Sequence, residues 1–356
     1  MFTCEIIPYT LRFKQPAGTS RGVYREHRVW YVVLLDREDP DHIGIGECAP
    51  LPDLSCDYNT RYVETLSHFS RILEEEQQQQ LDGELLRHYP SILFGLETAL
   101  QQYQQRSWQL RESPFSRGVE GIPINGLIWM GNIEQMRQQA DNLLQKGFRC
   151  IKLKIGAIDF EQELKLLHQI RMCHPGVTLR VDANGAFASG ELTEKLQKLA
   201  AIEIHSIEQP IRAGQWEEMA RLCSSSPLPI ALDEELIGIH RPEAKRQLLE
   251  TIQPQYIILK PSLHGGISGC NEWIELASEF GIGWWITSAL ESNIGLNSIA
   301  QWSATLGNPL PQGLGTGSLY LNNIPLPLAI RGDCLWFNPS GPYPNQPLQM
   351  YETDHD

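Results

Sequence analysis

The chain has 356 residues, a formal charge of −14 and 20% charged residues. That length accommodates a large core with a second, smaller domain. The acidic balance and the lack of any Lys/Arg-rich run exclude a nucleic-acid partner, whose phosphates need clustered cations.

No apolar run approaches the roughly 18 residues of a membrane span. The opening MFTCEIIPYTLRF lacks a basic segment followed by an apolar stretch, so no signal peptide is expected. Cys4, Cys48, Cys56, Cys150, Cys173, Cys223, Cys270 and Cys334 form no CxxC pair and no zinc-ligand spacing. They are expected to be reduced thiols packing as small hydrophobes in a cytoplasmic protein.

In chain order, CEIIPYTLRF, HRVWYVVLLD and GIGECAPLP predict a small antiparallel sheet. Helical periodicity follows over residues 58–76 and 90–103, the latter with Leu93, Leu96, Leu100 and Tyr103 on one face. QQQQ at 77–80 reads as a polar helix end or loop. From Ile122 strands and helices alternate. IPINGLIW precedes a helix that Asn132 can cap and Gly147 can end. CIKLKIG precedes a helix over Phe160–Cys173, and LRVDANG precedes one opening near Ser189. SIEQPI, PIALDEE, YIILKPS, GWWITSAL and QGLGTG bring the strand candidates to eight.

The predicted fold class is therefore α/β, a closed (β/α)₈-type barrel and not an open doubly wound sheet. An α+β capping domain is expected over 1–120 and the barrel over 121–319. Residues 320–345 complete the cap, with LAIRGDCLWF as a strand returning to it. The last dozen residues are expected to fray.

The chemistry lies at the strand ends. Asp182 in RVDANG, Glu208 in IEQP and Asp233 in ALDE each close an apolar run, with Lys154 before them and Lys260 after, in steps of about 25–28 residues. One βα unit occupies about that much chain, and such barrels keep their chemistry at C-terminal strand ends. Oxygen ligands on separate rigid strands suit Mg²⁺, with Mn²⁺ as the substitute. Lys152 and Lys154, two apart on one strand, both face the barrel interior. Their repulsion, together with a nearby cation, is expected to lower a lysine toward the range of a general base. A Schiff-base aldolase could use Lys154 or Lys260, but would leave the three acids without a role.

This pattern, KxK on strand two, acids on strands three to five and lysine on strand six, resembles the enolase superfamily in its muconate-lactonizing-enzyme-like subgroup. The resemblance implies a modified TIM barrel and proton abstraction alpha to a carboxylate, with Asp182, Glu208 and Asp233 as metal ligands. It implies Lys154 as base, Lys260 as a cation over the reacting face and Lys152 as support. Strand seven has no histidine, unlike the mandelate-racemase type, and GLGTG lacks the DxD element of dipeptide epimerases. ITSALESNIGLNSIAQW, GLGTGSLY and GIGECAPLPDLS resemble members that dehydrate a cyclohexadiene carboxylate to an aromatic dicarboxylate in menaquinone synthesis. Racemisation of N-succinyl amino acids, or another racemase or cycloisomerase reaction, is the alternative.

A small anionic dicarboxylate is the expected partner, and monomer and homo-oligomer both stay open. Asn184, Ser288, Ser292, Gly315 and Thr316 are candidate substrate contacts, with Glu291 and residues 313–317 nearby and Glu234 behind the metal. Residues 18–21 and 50–55 match mouth-closing loops, and His264 is expected to be structural.

Overall fold

The computed structural model describes residues 1–19, 22–78, 80–341 and 343. Gln79 of the glutamine run, residues 20–21 of the first mouth loop and the terminus expected to fray lie outside the described residues.

Strands β1 (Phe2–Thr19), β2 (Gly22–Asp36) and β3 (Ile43–Cys48) form the antiparallel sheet in sequence order. The run VWYVVLL in β2 is apolar at every position because both faces of the sheet are covered. Trp30, Val32 and Leu34 pack with Leu66, Leu96 and Ala99 of the helical layer. Val29, Tyr31 and Val33 pack with Leu263, Ala289, Ile294 and Tyr320 from the other end of the chain. Helices α1 (Tyr62–Glu75), α2 (Gly83–Leu86) and α3 (Pro90–Gln105) follow. Helix α1 starts four residues later than its periodicity suggests, after Asn59 turns back to accept the Arg61 N–H at 2.8 Å. Gly46 lets β3 press directly on α3, since a Cβ there would collide with the Gly95 and Ala99 backbone.

IPINGLIW splits into β4 (Ile122–Pro123) and β5 (Gly126–Ile128). The alternation then runs α4 (Ile133–Gln145), β6 (Cys150–Lys154), α5 (Phe160–Cys173), β7 (Thr178–Asp182), α6 (Ser189–Ala201) and β8 (Ser206–Glu208). It continues with α7 (Trp216–Ser225), β9 (Ile230–Leu232), α8 (Pro242–Ile252), β10 (Tyr256–Leu259), α9 (Gly266–Glu279), β11 (Gly283–Ile286) and α10 (Asn293–Ser303). Asn132 forms a full capping box with Gln135. At the other end of α4, Gly147 at φ +84° allows the paired bonds Gly147 N–H to Leu144 O and Phe148 N–H to Leu143 O of a Schellman ending.

Strands β5 to β11 make one parallel sheet in sequence order. The eighth candidate, QGLGTG, closes it with two isolated bridges, Ile124 to Gln312 and Thr287 to Gly313. Glycine-rich backbone offers no side chains to hold a longer pairing. The result is an α/β barrel with an antiparallel sheet against it. None of its helices, among the described residues, is long and apolar enough to cross a membrane.

One expectation changes. LAIRGDCLWF folds into a hairpin of β12 (Leu328–Arg331) and β13 (Cys334–Phe337), and β13 pairs with β4, not with the N-terminal sheet. Leu335 and Phe337 bury against Phe115 and Ile122 there. The chain meets β1 earlier, where Tyr320 bridges Phe13 and the Leu321 N–H bonds Arg12 O at 2.8 Å. Alternation reveals a strand but not the edge it joins.

Candidate active site

Period-two alternation builds the site. In β6, Ile151 and Leu153 face the helices while Lys152 and Lys154 face the interior. In β7 and β8, Leu179, Val181 and Ile207 pack outward and leave Asp182 and Glu208 turned in. Parallel register then places Lys154, Asp182 and Glu208 in one row across three strands. Asp233 follows β9 and Lys260 follows β10, extending the row. Beneath it the interior is filled: Arg180 lies over the Trp285 ring at 4.0 Å, and Ala231 and Ile258 pack on that indole.

All three acids are fully buried. Lys152 Nζ donates to Asp182 at 3.0 Å and to both Glu208 oxygens at 3.2 and 3.0 Å. Lys154 Nζ donates to Asp182 and to Asn184 Oδ1, each at 2.8 Å. Lys260 Nζ donates to Asp233 Oδ2. The lowering expected of a lysine depends on a cation beside it; the protein's own groups move Lys152 the other way. Burial opposes its charge, but Asp182, Glu208 and Asp233 outweigh burial and hold it above the ordinary lysine range. Lys260 is likewise raised, with burial overcome by Asp233 and Glu208. Asp182 falls below the usual carboxylate range because Lys152 and Lys154 outweigh burial. Burial and the neighbouring Asp182 push Glu208 the other way, up to about 8.

A cavity of about 490 Å³ opens onto this row. Lys152, Lys154 and Lys260 line it together with Asn184, Ser288, Gly313, Gly315 and Thr316. Leu51 and Leu54 of the 50–55 loop and Tyr24 of β2 form an apolar side. Asn184, left-handed at φ +44°, also donates from Nδ2 to Glu234 at 3.0 Å, which puts Glu234 one residue back from the lysines. Ser292 is a correction. It does not line the cavity, and it is the N-cap of α10, with its hydroxyl given to Glu47 at 2.6 Å. His264 Nδ1 accepts the Lys260 N–H at 3.0 Å, and burial holds the ring down to about 3.

Two supporting residues escape sequence reasoning. Gln209, at φ +39° just after Glu208, receives the N–H groups of Asp233 and Glu235 at 3.2 Å each and so ties strand ends four and five. Glu163 on α5 accepts the Gly156 N–H at 2.9 Å and fixes the turn after Lys154. A buried carboxamide or carboxylate whose partners are backbone N–H groups leaves no side-chain pattern to read.

Among the described residues, no three acidic, histidine or cysteine side chains already converge as a cation cage. Lys152 stands between Asp182 and Glu208, and Lys260 holds Asp233. The donor set nevertheless fits a hard divalent ion. Among the described residues Asp233 Oδ1 is buried with no hydrogen-bond partner, and the crowded acids that raise Glu208 would be relieved by positive charge.

A closed barrel with acids on three successive strand ends and lysines on either side defines an acid–base enzyme class. Residues 135–332 match the family described as enolase C-terminal domain-like, and the chain belongs to the enolase superfamily. A relative, the o-succinylbenzoate synthase of Desulfotalea psychrophila, is 45% identical over 359 residues, covering 91% of this chain and 96% of that protein. The crystal structure of MenC from that organism matches with a TM-score of 0.82 at 41% identity, covering 94% of this chain and 99% of that one. The L-Ala-D/L-Glu epimerase of Bacillus subtilis is 27% identical over 320 residues, covering 85% and 83%. A dipeptide epimerase from Enterococcus faecalis, crystallised with Mg and L-Leu-L-Tyr, shares the fold with a TM-score of 0.79 at 18% identity, covering 95% and 97%.

Proposed function

We propose that this chain catalyses the o-succinylbenzoate synthase reaction, the syn-dehydration of 2-succinyl-6-hydroxy-2,4-cyclohexadiene-1-carboxylate to 2-succinylbenzoate in menaquinone synthesis. It is then a carbon–oxygen lyase working in the cytoplasm. One observation carries the reading: among the described residues every charged side chain lining the cavity is a lysine, as a dicarboxylate requires, and the strand-eight wall is Gly313, Gly315 and Thr316. Among the described residues no acid stands there to hold a dipeptide's amine. The Desulfotalea relative, similar along its whole length, supports the same choice.

Lys154 takes the proton alpha to the ring carboxylate, and the electron pair moves into that carboxylate. The pair then returns to form the ring double bond as the C6–oxygen bond breaks. Lys154 returns its proton to the departing hydroxide on the same face, so one residue serves as base and then as acid. Lys260 and the raised Lys152 stay cationic beside the developing charge. Asp182, Glu208 and Asp233 would hold Mg²⁺, which supplies Lewis-acid stabilisation of the dianion when bound. The same reading makes residues 1–120 a cap whose 50–55 loop excludes water through Leu51 and Leu54.

Purified protein assayed with the cyclohexadiene substrate should release water, and Lys154→Ala should abolish turnover. Full activity in EDTA would refute the metal assignment. Lys154 and Lys260 lining one cavity also suits a two-base racemase. Rapid deuterium exchange into N-succinyl amino acids without dehydration would establish that reading instead.

A further inference from the structure

Glu291, just past the end of β11, is fully buried and lies behind the cavity wall. Its Oε1 receives the Ser262 hydroxyl at 2.5 Å, and its Oε2 lies 2.7 Å from the Ser288 hydroxyl. Ser288 lies 2.7 Å from the Thr316 hydroxyl, and both of these serine and threonine side chains line the cavity. One carboxyl group therefore links the loop behind Lys260 to the walls made by strand ends seven and eight.

Each hydroxyl has a single proton to give. Beside an ionised Glu291, Ser262 and Ser288 both point their protons at the carboxylate. Ser288 oxygen then takes the Thr316 proton, and this pair of hydroxyls offers a ligand nothing but lone pairs. Beside a protonated Glu291 the order reverses. The carboxyl donates to Ser288, Ser288 donates to Thr316, and the Thr316 proton faces the cavity.

The surroundings select between these orders. Glu47 of β3 meets Glu291 beside Gly295, where an added Cβ would lie 2.8 Å from Glu291 Cβ and 3.0 Å from Glu47 Oε2. Glu47 sits at the N-terminus of α10 and receives the Ser292 and Gly295 N–H groups at 2.8 Å each, so the helix end favours negative charge there. The other titratable groups facing Glu291 are Cys270 of α9 and Tyr320 beyond strand eight, and the N–H groups of Ala289 and Glu291 also point to it. Among the described residues no lysine, arginine or histidine is bonded to it. Two neighbouring buried acids do not both ionise readily; burial raises Glu47 to about 7, and the helix end is what gives it the better claim to the charge. Burial also raises Glu291.

We propose that Glu291 keeps its proton and acts as a positioning residue, ordering the Ser288 and Thr316 hydroxyls as donors toward a substrate carboxylate. The identity of that carboxylate rests on the dehydration reading; the hydroxyl order does not.

Infrared difference spectra of wild type against Glu291→Gln, without substrate at neutral pH, should contain a protonated-carboxyl band. Calorimetric titration with 2-succinylbenzoate should show wild-type affinity falling about tenfold as rising pH ionises Glu291. Glu291→Gln, whose amide donates to Ser288 at every pH, should stay within about threefold of the neutral wild-type value and show no fall. Thr316→Val leaves the buried pair intact and should bind about tenfold more weakly at neutral pH, with a flat profile. This variant decides the matter if Glu291→Gln does not fold. No band, a parallel fall in Glu291→Gln, or wild-type affinity in Thr316→Val overturns the proposal. A band in an enzyme that does not dehydrate the cyclohexadiene would remove the functional reading and leave the hydroxyl order standing.

Discussion

Replacing Lys260 by alanine should cost this protein far more stability than replacing Lys154, although both amines face one cavity. Lys154 shares Asp182 with Lys152, whose Nζ is 3.0 Å from the same carboxylate oxygen. Lys154→Ala therefore leaves Asp182 paired, and the loss is that of two hydrogen bonds, to Asp182 and Asn184, about 2 kcal/mol. Asp233 has no such reserve. Lys260 holds its Oδ2, and among the described residues its Oδ1 has no hydrogen-bond partner. Lys260→Ala strands a fully buried carboxylate, which costs about 3–5 kcal/mol when one side of a buried pair is removed. Urea unfolding in EDTA, with both variants beside the wild type, measures the difference. Repeating it in saturating Mg²⁺ should narrow the Lys260→Ala deficit, because an Asp233 without its lysine binds the cation more tightly than the wild type does, and each tenfold gain in affinity returns about 1.4 kcal/mol. Equal midpoints for the two variants in EDTA would refute this counting of partners.

Further outcomes follow from single residues. Burial, set against the Gly156, Ile158 and Ala157 N–H groups, pushes Glu163 up to about 7. An acid raised in the folded state erodes stability as pH climbs from its unfolded value near 4.3, at about 1.4 kcal/mol per unit until the folded pKa is passed. Glu163→Gln should therefore flatten the decline in urea midpoint between pH 5 and 7; parallel declines in variant and wild type would disprove it. Ser292→Ala should lower stability by about 1 kcal/mol through the lost cap while leaving KM unchanged. A raised KM would return Ser292 to the substrate site. Leu54→Ala should raise KM about threefold or more with little effect on kcat, since it removes binding shared by ground and transition states.

Much of this site is legible in the chain because strands alternate. In IKLKIG the apolar residues claim the helix-facing side and leave the lysines nowhere to point but inward, and RVDANG and SIEQPI repeat the logic. The charge balance is not legible in the same way. Repulsion between Lys152 and Lys154 suggests depressed amines, whereas their acids, brought together from three strands, reverse the direction for Lys152. Ser292 misleads because a serine beside a strand end can equally be a helix cap, and its partner Glu47 lies 245 residues away. The hairpin of β12 and β13 misleads for a related reason, since its edge partner is a two-residue strand too short to advertise itself.

The shared register of Lys154, Asp182 and Glu208 also governs how such a chain can change over generations. Lengthening any turn between a strand and its helix leaves that alignment untouched, so loops can be remodelled for new substrates at small cost. Inserting one residue within β6, β7 or β8 would swing the reactive groups out into the helical layer and bury greasy ones where the chemistry happens. Novelty in this lineage should therefore accumulate at the rim, with the staves held to fixed length.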